Sequence, residues 1–137
     1  MQRPIDQHTA LIFTMVLLSA AEGEMTDAEL ETIGRQVRYL PVFRGFDSDR
    51  LTTVGRQCAD LLRDEDGLAH AVDMIAEALP GPLRETAYAL ACDVAAADGA
   101  LAIEELNLLS LLRQELSIDR LVAVAIERAT YARHAVL

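Results

Sequence analysis

The sequence predicts an all-α fold, and three observations support this prediction. Apolar residues recur at helical spacing along the chain, with Gly or Pro between the periodic segments. The chain is 52% hydrophobic but only 4% aromatic and contains no Trp, a composition typical of packed helices. No run of alternating β-branched residues bounded by turn residues indicates a strand. We therefore expect a bundle of about seven helices that forms a single domain over residues 1–137.

The first four helices are predicted from their end signals. Gly23 offers a positive-φ position that ends the first helix. Thr26 followed by Glu29 is a capping-box signature for the second helix, which Pro41 ends. The predicted ranges are about 5–21, 26–40, 47–63 and 67–79. The apolar stripe of the second helix is expected to face the core and comprises Ala28, Leu30, Ile33, Val37 and Leu40.

Three more helices follow the loop and breaker signals. The "PGP" stretch at residues 80–82 stops the fourth helix, and a fifth is expected over about 83–97. A sixth helix is predicted over about 103–116, and a seventh begins from a Ser117 cap. Between the second and third helices, the loop side chains expected to fill the core are Val42, Phe43 and Phe46.

One motif occurs twice, at the offset of 76 residues that separates Gly23 from Gly99. The stretches are "SAAEGEMTDAEL", residues 19–30, and "AAADGALAIEEL", residues 95–106. Each contains a carboxylate, then Gly, then a Glu seven residues after the carboxylate. We therefore expect two helix-loop-helix repeats, about 5–40 and 83–116, related by a pseudo-two-fold axis. Such symmetry would bring the two glycine loops or their flanking helices close together.

The charge of the chain excludes some partners. Its net charge is -10, which repels phosphate backbones and anionic lipid surfaces, so nucleic acid and bare membrane are poor partners. The first apolar segment has some features of a secretory signal, but its repeat counterpart lies deep in the chain, which favours a structural helix. The segment is also shorter than the roughly 20 apolar residues that cross a bilayer, so no direct membrane insertion is expected.

Neither metal-thiolate nor nucleophilic chemistry has a recognisable pattern in the sequence. Cys58 and Cys92 lie alone in helical segments, and we interpret them as small buried hydrophobic residues in a reducing compartment. No nucleophile-base pair and no glycine-rich phosphate loop is present. The sequence therefore predicts a protein that is not an enzyme.

Four acidic residues occupy matching positions in the two repeats. Glu22 and Asp98 follow long helices, where the helix dipole disfavours a carboxylate. They act either in ordinary loop capping or in binding a cation. Glu29 is explained by its capping box, whereas Glu105 has no such explanation because Ala102 replaces the capping threonine. The second repeat thus keeps the acid after losing half of the capping motif, which favours a further role for it.

Asp93 is an acidic residue in the middle of an apolar helix, and its repeat counterpart is Leu17. A buried carboxylate needs a partner, so Asp93 either pairs with an Arg, caps a neighbouring helix, or belongs to a site. If it converges with the repeated acids, the site is all oxygen and selects Ca²⁺ or Mg²⁺. The spacing does not match an EF-hand loop.

The two segments 10–43 and 83–119 resemble the TerB-like family of tellurite-resistance proteins, and the resemblance covers nearly the whole chain. The marks are the small-residue step before an acid and Gly, the Glu seven residues on, and Asp93 before "VAAADG". The resemblance implies a pseudo-symmetric bundle of about seven helices with a divalent-cation site. The residues that it implicates as metal ligands are Asp98, Glu105, Asp93, Glu22 and Glu29.

The resemblance also implies a cellular role. It places the chain in a cytoplasmic stress response, working with other stress-response proteins that include membrane-associated Ter-type partners. We therefore expect a non-enzymatic scaffold that binds Ca²⁺ or Mg²⁺. The alternative is a protein-interaction bundle in which the same acids form caps and salt bridges and no metal binds.

Overall fold

The structure, a computed structural model, describes residues 4–21, 23, 25–97, 99 and 103–137. Within these ranges the chain forms seven α-helices and no strand, which confirms the predicted all-α class. The helices are α1 (Gln7–Ala20), α2 (Asp27–Tyr39), α3 (Leu51–Leu62), α4 (Gly67–Ala78), α5 (Gly81–Ala95), α6 (Ile103–Glu115) and α7 (Arg120–Arg133). Two short 3-10 helices, Pro41–Phe43 and Ser48–Arg50, connect α2 to α3.

The centre of the fold is the packing of α1 against α5. Every residue of α1 from Thr9 to Ser19 is buried, because α1 also contacts α3 and α4. The other central helix, α5, packs against α1, α2, α6 and α7. A helix that is apolar around its whole circumference needs such a surrounded position. No helix among the described residues combines the length and hydrophobicity needed to cross a bilayer.

Several predicted helix ends are confirmed. Gly23 has a φ of +117°, as expected for the residue that follows α1. Thr26 and Glu29 form the predicted capping box at the start of α2. At the start of α1, the Asp6 side chain accepts a hydrogen bond of 2.8 Å from the Thr9 amide. The side chains of Thr26, Glu29 and Asp6 thus satisfy backbone amides at the starts of α2 and α1 that have no partner within the helix.

Three predicted helix starts differ from the structure, the first of them at α3, which begins at Leu51 after a 3-10 helix that Asp47 caps. Ser117 does not cap α7: it has a φ of 54° and belongs to the turn that ends α6, where the Ile118 amide donates to the Arg113 carbonyl over 3.0 Å. The cap of α7 is Asp119, whose side chain accepts from the Leu121 amide. Similarly, α5 begins at Gly81 rather than near residue 83, because prolines are tolerated in a first turn.

The loop after α2 fills one end of the core, as predicted. Phe43 is buried, and Val42 and Phe46 are partly buried against the core. The ring of His8 in α1 packs against both phenylalanine rings, which also contact each other, and its Nε2 atom lies 2.8 Å from the Val42 carbonyl oxygen. The loop is therefore fixed to the beginning of α1.

Candidate functional site

The two repeats place a glutamate in the same environment. Glu29 in the first turn of α2 and Glu105 in the first turn of α6 are 3% and 1% exposed. In both repeats the next residue is a leucine that faces solvent: Leu30 is 54% exposed and Leu106 is 48% exposed. The expectation that Leu30 faces the core is therefore wrong. Consecutive residues on a helix point about 100° apart, so an inward glutamate turns its leucine neighbour outward.

Glu29 is held by the capping box. Its Oε1 atom accepts a hydrogen bond of 2.9 Å from the Thr26 amide, and its own amide donates to the Thr26 hydroxyl over 3.1 Å. These two bonds leave the Oε2 atom outside the box. A carboxylate has more acceptor capacity than one hydrogen bond uses, so Glu29 retains an oxygen that can meet a further donor or a cation.

Glu105 repeats the burial of Glu29 in the second unit. The residue that corresponds to Thr26 in this repeat is Ala102. Ala102, Glu22 and Asp98 lie outside the described residues. A methyl side chain at that position cannot donate or accept a hydrogen bond. The burial of Glu105 is therefore not explained by a reciprocal capping box.

Asp93 has protein partners on two other helices. Its Oδ1 atom accepts a hydrogen bond of 2.8 Å from Arg133 of α7, and its Oδ2 atom accepts one of 2.9 Å from Gln36 of α2. Its side chain is 14% exposed, whereas that of Arg133 is 53% exposed. An arginine partner is one of the alternatives predicted for this acid. Asp93 thus joins α2, α5 and α7.

Sequence reasoning missed both partners of Asp93. In the sequence, Arg133 has only the general signal of a cation near a helix end, where the helix dipole favours it. Nothing in the sequence singles out Gln36 as a partner of Asp93 except that its repeat counterpart is a leucine, Leu112, which is buried. A polar residue that replaces a core leucine in one repeat, together with Asp93 in place of Leu17, could have indicated a polar pair between α2 and α5.

The described residues do not by themselves form a metal centre. Across those parts of the chain, no group of three or more His, Cys, Asp or Glu side chains is arranged to hold a metal ion. Glu29, Asp93 and Glu105 therefore do not constitute a complete ligand set. A site that uses the repeated acids would also require Glu22 and Asp98.

Arg84 is another polar residue that the sequence did not single out. Its guanidinium donates to the carbonyl oxygens of Ala76 and Leu79 at the end of α4, over 2.7 and 2.9 Å, and to that of Leu116, over 3.4 Å. Its repeat counterpart is His8, which contacts the Val42 carbonyl after α2. In both repeats a basic residue near the start of the first helix thus holds the chain that follows the second helix.

Two cysteines and one tyrosine are neutral groups within the core. Burial raises the pKa of Cys58 and that of Cys92 to about 12, so both thiols stay protonated at neutral pH. Burial also raises the pKa of Tyr88, whose hydroxyl donates to Glu127 over 2.5 Å. The prediction that the cysteines are small buried residues is confirmed, and neither thiol has the character of an activated nucleophile.

These features define the class of protein as a helical bundle with two helix-loop-helix repeats, each of which buries a glutamate behind a glycine turn. The model of one family, described as tellurite resistance protein TerB, matches residues 8–127. Since this match covers most of the chain, the protein belongs to the TerB family, as its resemblance predicted. No curated protein and no solved structure matches the chain.

Proposed function

We propose that the chain is a non-enzymatic module of a tellurite-resistance-related stress response and that it binds a hard divalent cation, Ca²⁺ or Mg²⁺. The proposed ligands are the repeated acids Glu22, Glu29, Asp98 and Glu105. One observation carries the proposal: both repeats bury a glutamate and expose the leucine beside it. Core packing alone would favour the opposite arrangement.

The energetics of burial support a cation as the partner of these acids. Removing a carboxylate from water is costly unless charge or hydrogen bonds compensate, and a bound divalent ion compensates strongly. Carboxylate ligands without His or Cys select hard cations. An overall charge of -10 also attracts cations from solution.

For Asp93 the geometry supports a positioning role. Both of its oxygens already accept hydrogen bonds, from Arg133 and Gln36. It lies five residues before Asp98 on the helix that leads to the second glycine turn. By holding α5 against α2 and α7, Asp93 would fix the direction in which the chain approaches that turn.

The second candidate function is a protein-interaction bundle that binds no metal. It is supported by the partners that Glu29 and Asp93 have within the chain, since the capping box and the ion pair stabilise these acids without an ion. Under either function, the proposed setting is the cytoplasm. The proposed partners are other proteins of the same stress response, including membrane-associated ones.

Titration calorimetry with Ca²⁺, Mg²⁺ and Mn²⁺ separates the two functions. The parent chain is expected to bind at least one of these ions, and the double variant Asp98→Asn, Glu105→Gln to lose that binding. The matched control is Glu104→Gln, because Glu104 is an exposed acid in the same turn as Glu105. This control should bind as the parent does. Absence of binding heat for all three ions in the parent would reject the cation site and leave the interaction bundle.

A further inference from the structure

A small cavity lies between α6 and α7, and α5 forms its base. Its volume of about 320 Å³ is near the lower end of the range that is typical of small-molecule sites. The base includes the side chains of Tyr88 and Cys92, which are both buried. Leu109 of α6 and two residues of α5, Ala95 and Ala96, add apolar surface. The cavity can therefore cover the apolar part of a small ligand.

One basic and one acidic side chain line this cavity on opposite helices. Arg113 belongs to α6 and Glu127 to α7, and both are partly buried. The ion pairs in the described parts of the chain are those of Arg35, Arg63 and Arg133, so neither charge in the cavity has a charged partner there. Partial burial of a charge is costly unless an opposite charge or hydrogen bonds compensate. A ligand that supplies the opposite charges would remove this cost.

Tyr88 brings the two charges to the same part of the cavity. Its hydroxyl donates a hydrogen bond of 2.5 Å to the Oε2 atom of Glu127. Burial raises the pKa of Tyr88, and the charge of Arg113 opposes part of this rise, so the guanidinium also lies near the phenol ring. The carboxylate and the guanidinium are thus close to one hydroxyl group without pairing with each other.

The two charges limit the kind of ligand that fits. A simple anion attracted by Arg113 is repelled by Glu127, and a simple cation is repelled by Arg113. A zwitterion satisfies both, because its carboxylate accepts two parallel hydrogen bonds from the guanidinium and its ammonium donates to Glu127. An apolar side chain on the same molecule would cover Leu109 and the alanines of the base.

We propose that this cavity binds a free amino acid with an apolar side chain. The carboxylate of the ligand pairs with Arg113, its ammonium pairs with Glu127, and its side chain lies on α5 and Leu109. The site goes beyond the proposed cation site, since none of the proposed cation ligands is among the described residues that line the cavity.

NMR titration of the full chain with L-leucine, L-methionine and L-phenylalanine tests the proposal. At least one of them is expected to bind with a dissociation constant of about 1 mM or lower and to shift the amide signals of Cys92, Ser110 and Thr130. The N-acetyl form of that amino acid lacks the ammonium, and its carboxamide lacks the carboxylate. Each should bind at least about tenfold more weakly. No shift with any of the three at about 10 mM, or equal binding of the modified forms, would overturn the proposal.

Two substitutions test the paired charges. Arg113→Gln and Glu127→Gln should each weaken binding of the amino acid at least about tenfold, and Glu127→Gln keeps an acceptor for the Tyr88 hydroxyl. The matched controls, Arg128→Gln and Glu115→Gln, remove the same charges from exposed positions of α7 and α6 outside the cavity and should bind as the parent does. Circular dichroism should show all four variants folded.

The carboxamide gives a second reading of Arg113→Gln. Because the guanidinium recognises the carboxylate, this variant should bind the amino acid and its carboxamide equally. A preference for the amino acid that survives in Arg113→Gln would overturn the proposal. So would a control variant that weakens binding as much as the variants within the cavity.

Discussion

The two repeats differ in the residues with which the second helix of each meets the central helix of the other. In the first repeat, Gln36 of α2 meets Asp93 of α5, and Asp93 also binds Arg133. The counterparts at the repeat offset are Leu112 and Leu17, and both are buried. The contact between α2 and α5 thus uses a polar pair, whereas the positions that correspond to it in α6 and α1 hold buried leucines. Asp93 of this polar pair also binds Arg133 of α7, the helix that follows the second repeat.

The repeats also differ in how they begin their second helices. Thr26 completes a capping box with Glu29, whereas Ala102 leaves Glu105 without a hydroxyl at the matching position. Both glutamates are nevertheless buried. The inward acid is therefore retained independently of the cap, as expected if the acid has a role that both repeats share.

Removing the polar pair should have the largest effect on stability. Asp93→Ala leaves the Gln36 amide and the Arg133 guanidinium without their acceptor, and we expect it to lower the free energy of unfolding by about 2–3 kcal/mol. The exposed position of Arg133 reduces its share of this loss. Urea denaturation followed by circular dichroism measures the change.

The polar pair can also be replaced by the residues found at the counterpart positions. The double variant Asp93→Leu, Gln36→Leu introduces the leucine pair found at the counterpart positions and leaves Arg133 solvated. Because apolar residues often replace a partly buried polar pair without loss, it should recover most of the stability that Asp93→Ala loses. A double variant less stable than Asp93→Ala would show that the two sides of the core are not equivalent.

Arg84 and His8 provide the next comparison. Arg84→Met removes hydrogen bonds to three carbonyl groups, and we expect a loss of about 1–2 kcal/mol. His8→Phe removes the contact to one carbonyl group and should cost less, about 1 kcal/mol. Thermal unfolding of both variants at one pH shows which of them loses more stability. Equal losses would contradict the assignment of the difference to the number of carbonyl groups held.

The capping box should contribute a smaller amount in the first repeat only. Thr26→Ala removes the hydroxyl that accepts from the Glu29 amide, and the expected loss of stability is about 1 kcal/mol. Thr26→Ser keeps the acceptor and should stay close to the parent. Urea titrations of the two variants measure the difference, and equal stabilities would mean that the cap contributes nothing.

Asp6 should make the smallest and most pH-dependent contribution. Hydrogen bonds from Thr9 lower the pKa of Asp6, so its stabilising effect is complete above the usual aspartate pKa and disappears as the pH falls through the lowered value. Its counterpart in the second repeat is Pro82, which cannot titrate. Asp6→Asn should flatten this part of the stability-pH profile, with a change below about 1 kcal/mol. Urea titrations between pH 2 and pH 6 measure it, and an unchanged profile would contradict the cap.

Local signals predicted much of this fold. Glycine after a helix, the Thr26 and Glu29 pattern and the lone cysteines each depend on a few neighbouring residues, and the structure agrees with them. Among the side chains that were missed, Gln36 and Arg133 act across long distances in sequence. Arg84 binds the end of the preceding helix across the Pro-Gly-Pro break as well as the distant Leu116. The outward direction of Leu30 was missed because an apolar side chain was expected to be buried. The polar side chain of Ser117 suggested a helix cap, but this residue belongs to the backbone turn that ends α6.

Thermal unfolding with and without calcium tests the proposed cation site most directly. An ion at about 100 times its dissociation constant stabilises the folded state by roughly 2.7 kcal/mol. Millimolar Ca²⁺ should therefore raise the melting temperature of the parent and of the Glu104→Gln control, a chelator should reverse the rise, and Glu105→Gln should reduce it. If Mg²⁺ is the ion, the same shift should appear with Mg²⁺ instead. A melting temperature that responds to neither ion would contradict the account.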